Sequence, residues 1–166
     1  MKRVLVLLCT PLLLLVAFAL PASADSPHFL RASASLSGTE LTVSFKEAGL
    51  GNNAQIDYVA SADATATYVC VNRGGSNPSA ANKTTVTAPV SETGTFTSGK
   101  NGSITASLTI SPPGPGSFTC PSGQSRQLAS ASYTNVAITD TTNNVTEPIA
   151  GTFTTGCLLP NVRGAC

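Results

Sequence analysis

The stretch Ser103–Ser111, SITASLTIS, decides the fold. Ile104, Ala106, Leu108 and Ile110 recur at every second position, with Thr105, Ser107 and Thr109 between them. A helix would spread those four apolar side chains around its circumference, whereas an extended strand gathers them on one face. The β-branched residues also favour an extended backbone. This segment is a strand with one dry face.

The same period continues on both sides. Upstream, Val86, Ala88 and Val90 share a face within Thr84–Val90, and Thr93–Thr97 follows as a short polar strand. Further back, Leu30, Ala32, Ala34 and Leu36 alternate with Arg31, Ser33 and Ser35. The turn Ser37-Gly38-Thr39 then leads into Leu41, Val43 and Phe45, a hairpin signal. Strands are also expected over Ile56–Ala60, Thr65–Val71, Leu128–Thr139 around Tyr133, Val136 and Ile138, and Val145–Thr154.

Between them lie residues suited to turns. Ala48–Asn53 and Asn72–Pro78 are rich in Gly and Asn, and Asn101-Gly102 is the strongest short turn dipeptide. Pro112-Pro113-Gly114-Pro115-Gly116 cannot join a ladder and reads as an exposed connection. Asp140–Asn144 reads as another turn. Short strands with turn signals at this spacing predict an all-β, immunoglobulin-like β-sandwich of about eight or nine antiparallel strands. Leu, Lys and Glu are scarce after the amino end, and no helix is expected.

Residues 1–24 read as a secretory signal peptide. Lys2 and Arg3 precede the apolar run Val4–Leu20, Pro21 ends it, and Ala22-Ser23-Ala24 offers a cleavage site. Leu8 before Cys9 does not suit a lipid-modified cysteine. The expected division is a signal at 1–24, a β-sandwich at 25–155 and a disulfide-closed tail at 156–166, with the mature chain secreted and extracellular. Losing Lys2 and Arg3 from the nine basic residues leaves seven against eight acidic ones. That balance offers no basic stripe for nucleic acid, and no cationic apolar helix for a membrane after cleavage.

Four cysteines follow the leader: Cys70, Cys120, Cys157 and Cys166. In an exported chain this predicts two disulfides, for which three connectivities exist. The favoured pairs are Cys70–Cys120, tying two strands in mid-domain, and Cys157–Cys166, closing a short loop around Pro160 and Gly164. No CxxC and no neighbouring histidine points to a metal.

The candidates for catalysis are few. His28 is the single histidine, close to the expected new terminus, so a Ser-His-acid set lacks its parts. Pro27 removes an amide that an amino-terminal copper chelate would need. Glu40, Glu47, Asp57, Asp63, Glu92, Asp140 and Glu147 supply carboxylates for a glycosidase-like pair. Most flank turns, however, and aromatic platforms for sugar are sparse. The sequence therefore predicts no catalytic residue, no metal and no cofactor. Asn82-Lys83-Thr84, Asn101-Gly102-Ser103 and Asn144-Val145-Thr146 match the N-glycosylation acceptor pattern.

Several segments carry a resemblance: Ala48-Gly49-Leu50-Gly51-Asn52; Ala64–Asn72 with Gly74, Gly75 and Pro78; Asn101-Gly102; Cys120-Pro121; and Tyr133–Asp140. From about Leu36 to Asp140 the chain resembles an uncharacterised family of small secreted Ser/Thr-rich β-sandwich proteins of soil bacteria and other microbes. The resemblance implies one central cystine, in support of Cys70–Cys120, and no assigned activity. The tail with Cys157 and Cys166 departs from the pattern. A looser likeness of architecture is to the enediyne-carrier apoproteins of actinomycetes, whose cysteine spacing differs.

The expected role is a non-enzymatic structural or interaction module of the cell surface or matrix, with an extracellular protein or cell-wall component as partner. Asn72, Arg73, Gly74, Gly75 and Asn77 form the candidate interaction loop, and Pro112–Gly116 is a second loop of interest. Two alternatives stand. A small-molecule carrier requires an apolar cleft between the sheets. A protease inhibitor requires an exposed, disulfide-pinned loop.

Overall fold

A computed structural model describes residues 26–72 and 82–166. Eight strands run in chain order: β1 (His28–Ser37), β2 (Glu40–Ala48), β3 (Gln55–Asn72), β4 (Lys83–Thr97), β5 (Ile104–Ile110), β6 (Gln124–Asp140), β7 (Val145–Ile149) and β8 (Phe153–Thr154). All pairings are antiparallel. One sheet has the order β1-β2-β5; the other is β4-β3-β6-β7, with β8 also paired to β6. This is an immunoglobulin-like two-sheet order in which β4 pairs with β3 rather than with β5. The Ser103–Ser111 reading holds: Ile104, Leu108 and Ile110 are buried, and Thr105, Ser107 and Thr109 face out.

The core fills the space between the sheets. Leu41, Val43 and Phe45 of β2 and Ile104, Leu108 and Ile110 of β5 meet Ile56, Tyr58, Ala60, Ala62 and Ala64 of β3. Ala131, Tyr133, Val136 and Ile138 of β6 complete the layer. Small alanines down β3 let the sheets approach around the large rings. Two buried tyrosines bond across the gap. The Tyr133 hydroxyl donates to the Thr39 carbonyl at 2.7 Å, and that of Tyr58 to Glu47 Oε2 at 2.7 Å. Gly94 is required for space, because a Cβ there would sit 2.7 Å from Leu108 Cδ2 and 3.1 Å from the Phe96 ring.

Several boundaries differ from the sequence reading. Ile56–Ala60 and Thr65–Val71 are one strand, β3, because Ser61-Ala62-Asp63 contains no residue that ends a ladder. Thr84–Val90 and Thr93–Thr97 likewise merge into β4. Pro89 does not interrupt it, since β4 lies at a sheet edge where a missing N–H costs no ladder bond. The last strand divides instead into β7 and β8, parted at Gly151 with φ 126°. Leu30 does not share the inward face of Ala32 and Leu36. A register shift between Phe29 and Arg31 turns it out, leaving it 54% exposed, while Phe29 packs on the core.

Sheet β4-β3-β6 is longer than its partner, whose strands have seven to ten residues against eighteen in β3 and seventeen in β6. Its overhanging end is covered by irregular chain. Val69, Val71 and Ala129 cluster with Ala165, Leu159 and Val162 of the tail. The Pro/Gly connection approaches the same end, where the Tyr68 hydroxyl donates to the Pro113 carbonyl at 2.8 Å. Both disulfides lie here, as Cys70–Cys120 and Cys157–Cys166. The first therefore ties the end of a strand to a loop, not two strands in mid-domain. Two disulfides fit the oxidising conditions outside the cytoplasm, extracellular or periplasmic. The expected signal at 1–24 lies outside the described residues.

Candidate functional site

Among the described residues, the one place where chemistry-bearing groups converge is the pole opposite the disulfides. Along β2 the inward phase runs Leu41, Val43, Phe45 and then Glu47; along β6 it runs Val136, Ile138 and then Asp140. Each strand thus ends its apolar row with an acid. Both carboxyls are fully buried. Asp140 sits beside Tyr58 in the β3–β6 ladder, and Glu47 meets them from the other sheet. The rings of Phe29, Phe45, Tyr58 and Phe96 pack around the group, with Phe45 and Tyr58 centroids 4.5 Å apart.

The polar partners of the two acids differ. Asp140 Oδ1 accepts the Asn143 backbone N–H at 2.9 Å, and Oδ2 accepts Asn143 Nδ2 at 2.6 Å, closing the β6–β7 turn. Glu47 Oε2 takes the Tyr58 hydroxyl, but Oε1 has no donor. A buried oxygen without a partner is costly unless it carries the hydrogen itself. Burial pushes the Glu47 carboxyl up to about 7; the Tyr58 hydroxyl opposes this, and the neighbouring Asp140 adds to it. Burial and Glu47 drive the Tyr58 phenol upward as well. A proton on Glu47 removes the bare charge that this apolar pocket would otherwise enclose. Neither residue has surface open to solvent, and through the Tyr58 hydroxyl Glu47 joins β2 of one sheet to β3 of the other.

The remaining acids are not brought together. Glu40 accepts from Ser111, Asp57 from Thr95 at 2.6 Å and Asp63 from Asn135 at 2.8 Å, while Glu92 and Glu147 are exposed. His28 opens β1, and its Nδ1 lies 2.7 Å from the Ser26 carbonyl. Among the described residues no three His, Cys, Asp or Glu side chains group to hold a metal ion. Of the candidate loop, Asn72 ends β3; Arg73, Gly74, Gly75 and Asn77 lie outside the described residues. Pro112, Pro113 and Pro115 are only half-exposed, so the Pro/Gly connection is partly a cover for the sheet rather than a free loop.

What the fold does present is two hydroxyl-rich sheet faces. On one, Thr65 pairs with Thr87 at 3.0 Å, Thr67 with Thr85 at 3.2 Å and Thr139 with Thr146 at 3.0 Å. On the other, Thr42 meets Thr109 at 3.4 Å. Four shallow depressions lie over strand surfaces and turns, and none of these opens between the sheets. The broadest, about 540 Å³, is lined by Arg31, Ser33, Ser44, Phe45, Thr105, Ala106 and Ser107. The apolar cleft a carrier requires is occupied by Phe45, Tyr58, Tyr133 and their neighbours. The threonine faces were visible in the sequence as the polar half of each alternation, but were not singled out there as a site.

The architecture is that of an antiparallel two-sheet β-sandwich. No protein-family model and no curated protein matches the chain. Among solved structures, it is similar to the solution structure of CsgH from R. palustris, at 12% identity over 78% of this chain and 90% of that one, with a TM-score of 0.25. A likeness at that level carries no argument about function.

Proposed function

We propose that this chain is a secreted, non-catalytic module that attaches to a cell-surface or matrix component through its outer sheet faces. The observation that carries the reading is the disposition of polar groups. The buried acids are sealed behind aromatic rings, whereas hydroxyls stand in ordered rows on both outer faces. A rigid sheet holds such rows without the ordering cost a mobile loop incurs on binding.

Co-sedimentation of the secreted protein with isolated cell-envelope material tests this. Saturable retention of the folded protein, lost after reduction and unfolding, is the expected result. Complete recovery in the supernatant, or a stoichiometric small molecule extracted from the native protein, would contradict it; the second result would point to a carrier.

A further inference from the structure

The outer face of sheet β1-β2-β5 has a definite layout. Register places Arg31 opposite Lys46 and Lys46 opposite Thr105. The next row is Ser33, Ser44 and Ser107, and the one after it Ser35, Thr42 and Thr109. Nine neighbouring positions thus hold two cations and seven hydroxyls. Like charges directly opposite one another weaken a sheet. Among the described residues neither cation has a carboxylate partner to offset that. Glu40, on the same face, is three rows from Lys46, about 20 Å along the strand.

From this we infer that the face is a binding site for an acidic polysaccharide, a deepening of the surface-module reading on which it rests. The Arg31 guanidinium and Lys46 ammonium meet a carboxylate or sulfate on the polymer, and the two hydroxyl rows exchange hydrogen bonds with the sugar hydroxyls. The depression of about 540 Å³ over Arg31, Ser33, Ser44, Thr105 and Ser107 gives a shallow seat with room for a short run of sugar units. No aromatic side chain stands outward in these three rows to stack on a neutral sugar, so charge has to anchor the ligand. Nucleic acid fits less well, since the two cations of this face can neutralise only a couple of phosphates.

The test is binding of the secreted, disulfide-bonded protein to polygalacturonate, dextran sulfate and neutral dextran, each at low and at physiological salt. Compared with the wild type are Arg31→Gln/Lys46→Gln and Lys83→Gln, the last changing a cation of the other sheet. Polygalacturonate or dextran sulfate should bind and neutral dextran should not, and whichever acid binds identifies the ligand group. The double variant should lose about tenfold in affinity, as expected for two exposed charge contacts, while Lys83→Gln binds as wild type. Without ligand the double variant should unfold at the same or a higher urea midpoint, because two like charges no longer stand opposite each other in the register. A purely structural role for the pair would lower that midpoint.

Equal binding of neutral dextran, or undiminished binding by the double variant, overturns the inference. Retention of the double variant on envelope material at the wild-type level removes this site while leaving the surface-module reading intact. Failure of the wild type to bind either envelopes or acidic glycans removes both.

Discussion

Glu47 ionises near 4.5 in an unfolded chain but near 7 in the folded one. Between those pH values the folded state keeps a proton that the unfolded state has released. Stability therefore falls as pH rises through this window and levels off above about 7, by about 3 kcal/mol in all. Urea midpoints from pH 5 to 8 should show this decline, and Glu47→Gln should flatten it, since an amide is neutral at every pH and keeps an oxygen to accept from Tyr58. An unchanged slope in that variant would refute the assignment of this pH dependence to Glu47. At Asn135 the backbone adopts φ 52° where two residues of β6 oppose one of β3. Its amide also donates to Asp63 Oδ2. Asn135→Ala should lower stability by about 1–2 kcal/mol, and Asn135→Gly by less, measured by the same denaturation. Both features left traces in the sequence. Glu47 and Asp140 each continue an apolar alternation, and the step from Tyr133 to Val136 breaks a two-residue period at an Asn. That these acids meet was not legible, because 92 residues intervene and only the sheet-to-sheet packing joins them.

Among the elements, β3 and β6 carry the fold beyond the reach of the smaller sheet. Their overhang cannot be buried by β2 and β5, and the cystine-bound loop and tail cover it instead. Loop length ranks the two bridges. Cys70–Cys120 closes 50 residues and should contribute about 4 kcal/mol, whereas Cys157–Cys166 closes 9 and should contribute about 2.5 kcal/mol. Cys70→Ser/Cys120→Ser should therefore lower the thermal midpoint more than Cys157→Ser/Cys166→Ser. The reverse order would mean that the tail, through Ala165 on Val69 and Val71, matters more than chain entropy. The tail also guards an edge: Thr155 and Leu158 donate to Ala131 and Ala129 of β6 where β7 does not reach. The sequence announced strands by their period and turns by Gly, Pro and Asn. It could not announce where one strand passes its partners, because β3 has no break in composition where its neighbours end.

For the whole molecule, the division of labour is between a sealed interior and patterned exteriors. Alternation made the sandwich legible, since each apolar row implies an opposite polar row. The candidate surface was not legible, because the register that aligns Arg31 with Lys46, and Ser33 with Ser44 and Ser107, exists only once the strands pair. The account stands or falls on where a ligand touches. Backbone amide shift mapping of the disulfide-bonded protein during titration with solubilised envelope polysaccharide measures that directly. The account predicts changes confined to outward-facing strand positions, centred on the rows of Arg31, Ser33 and Ser35, with Leu41, Tyr58 and Tyr133 unmoved. Changes centred on those inward residues, or on Glu47 and Asp140, would contradict it.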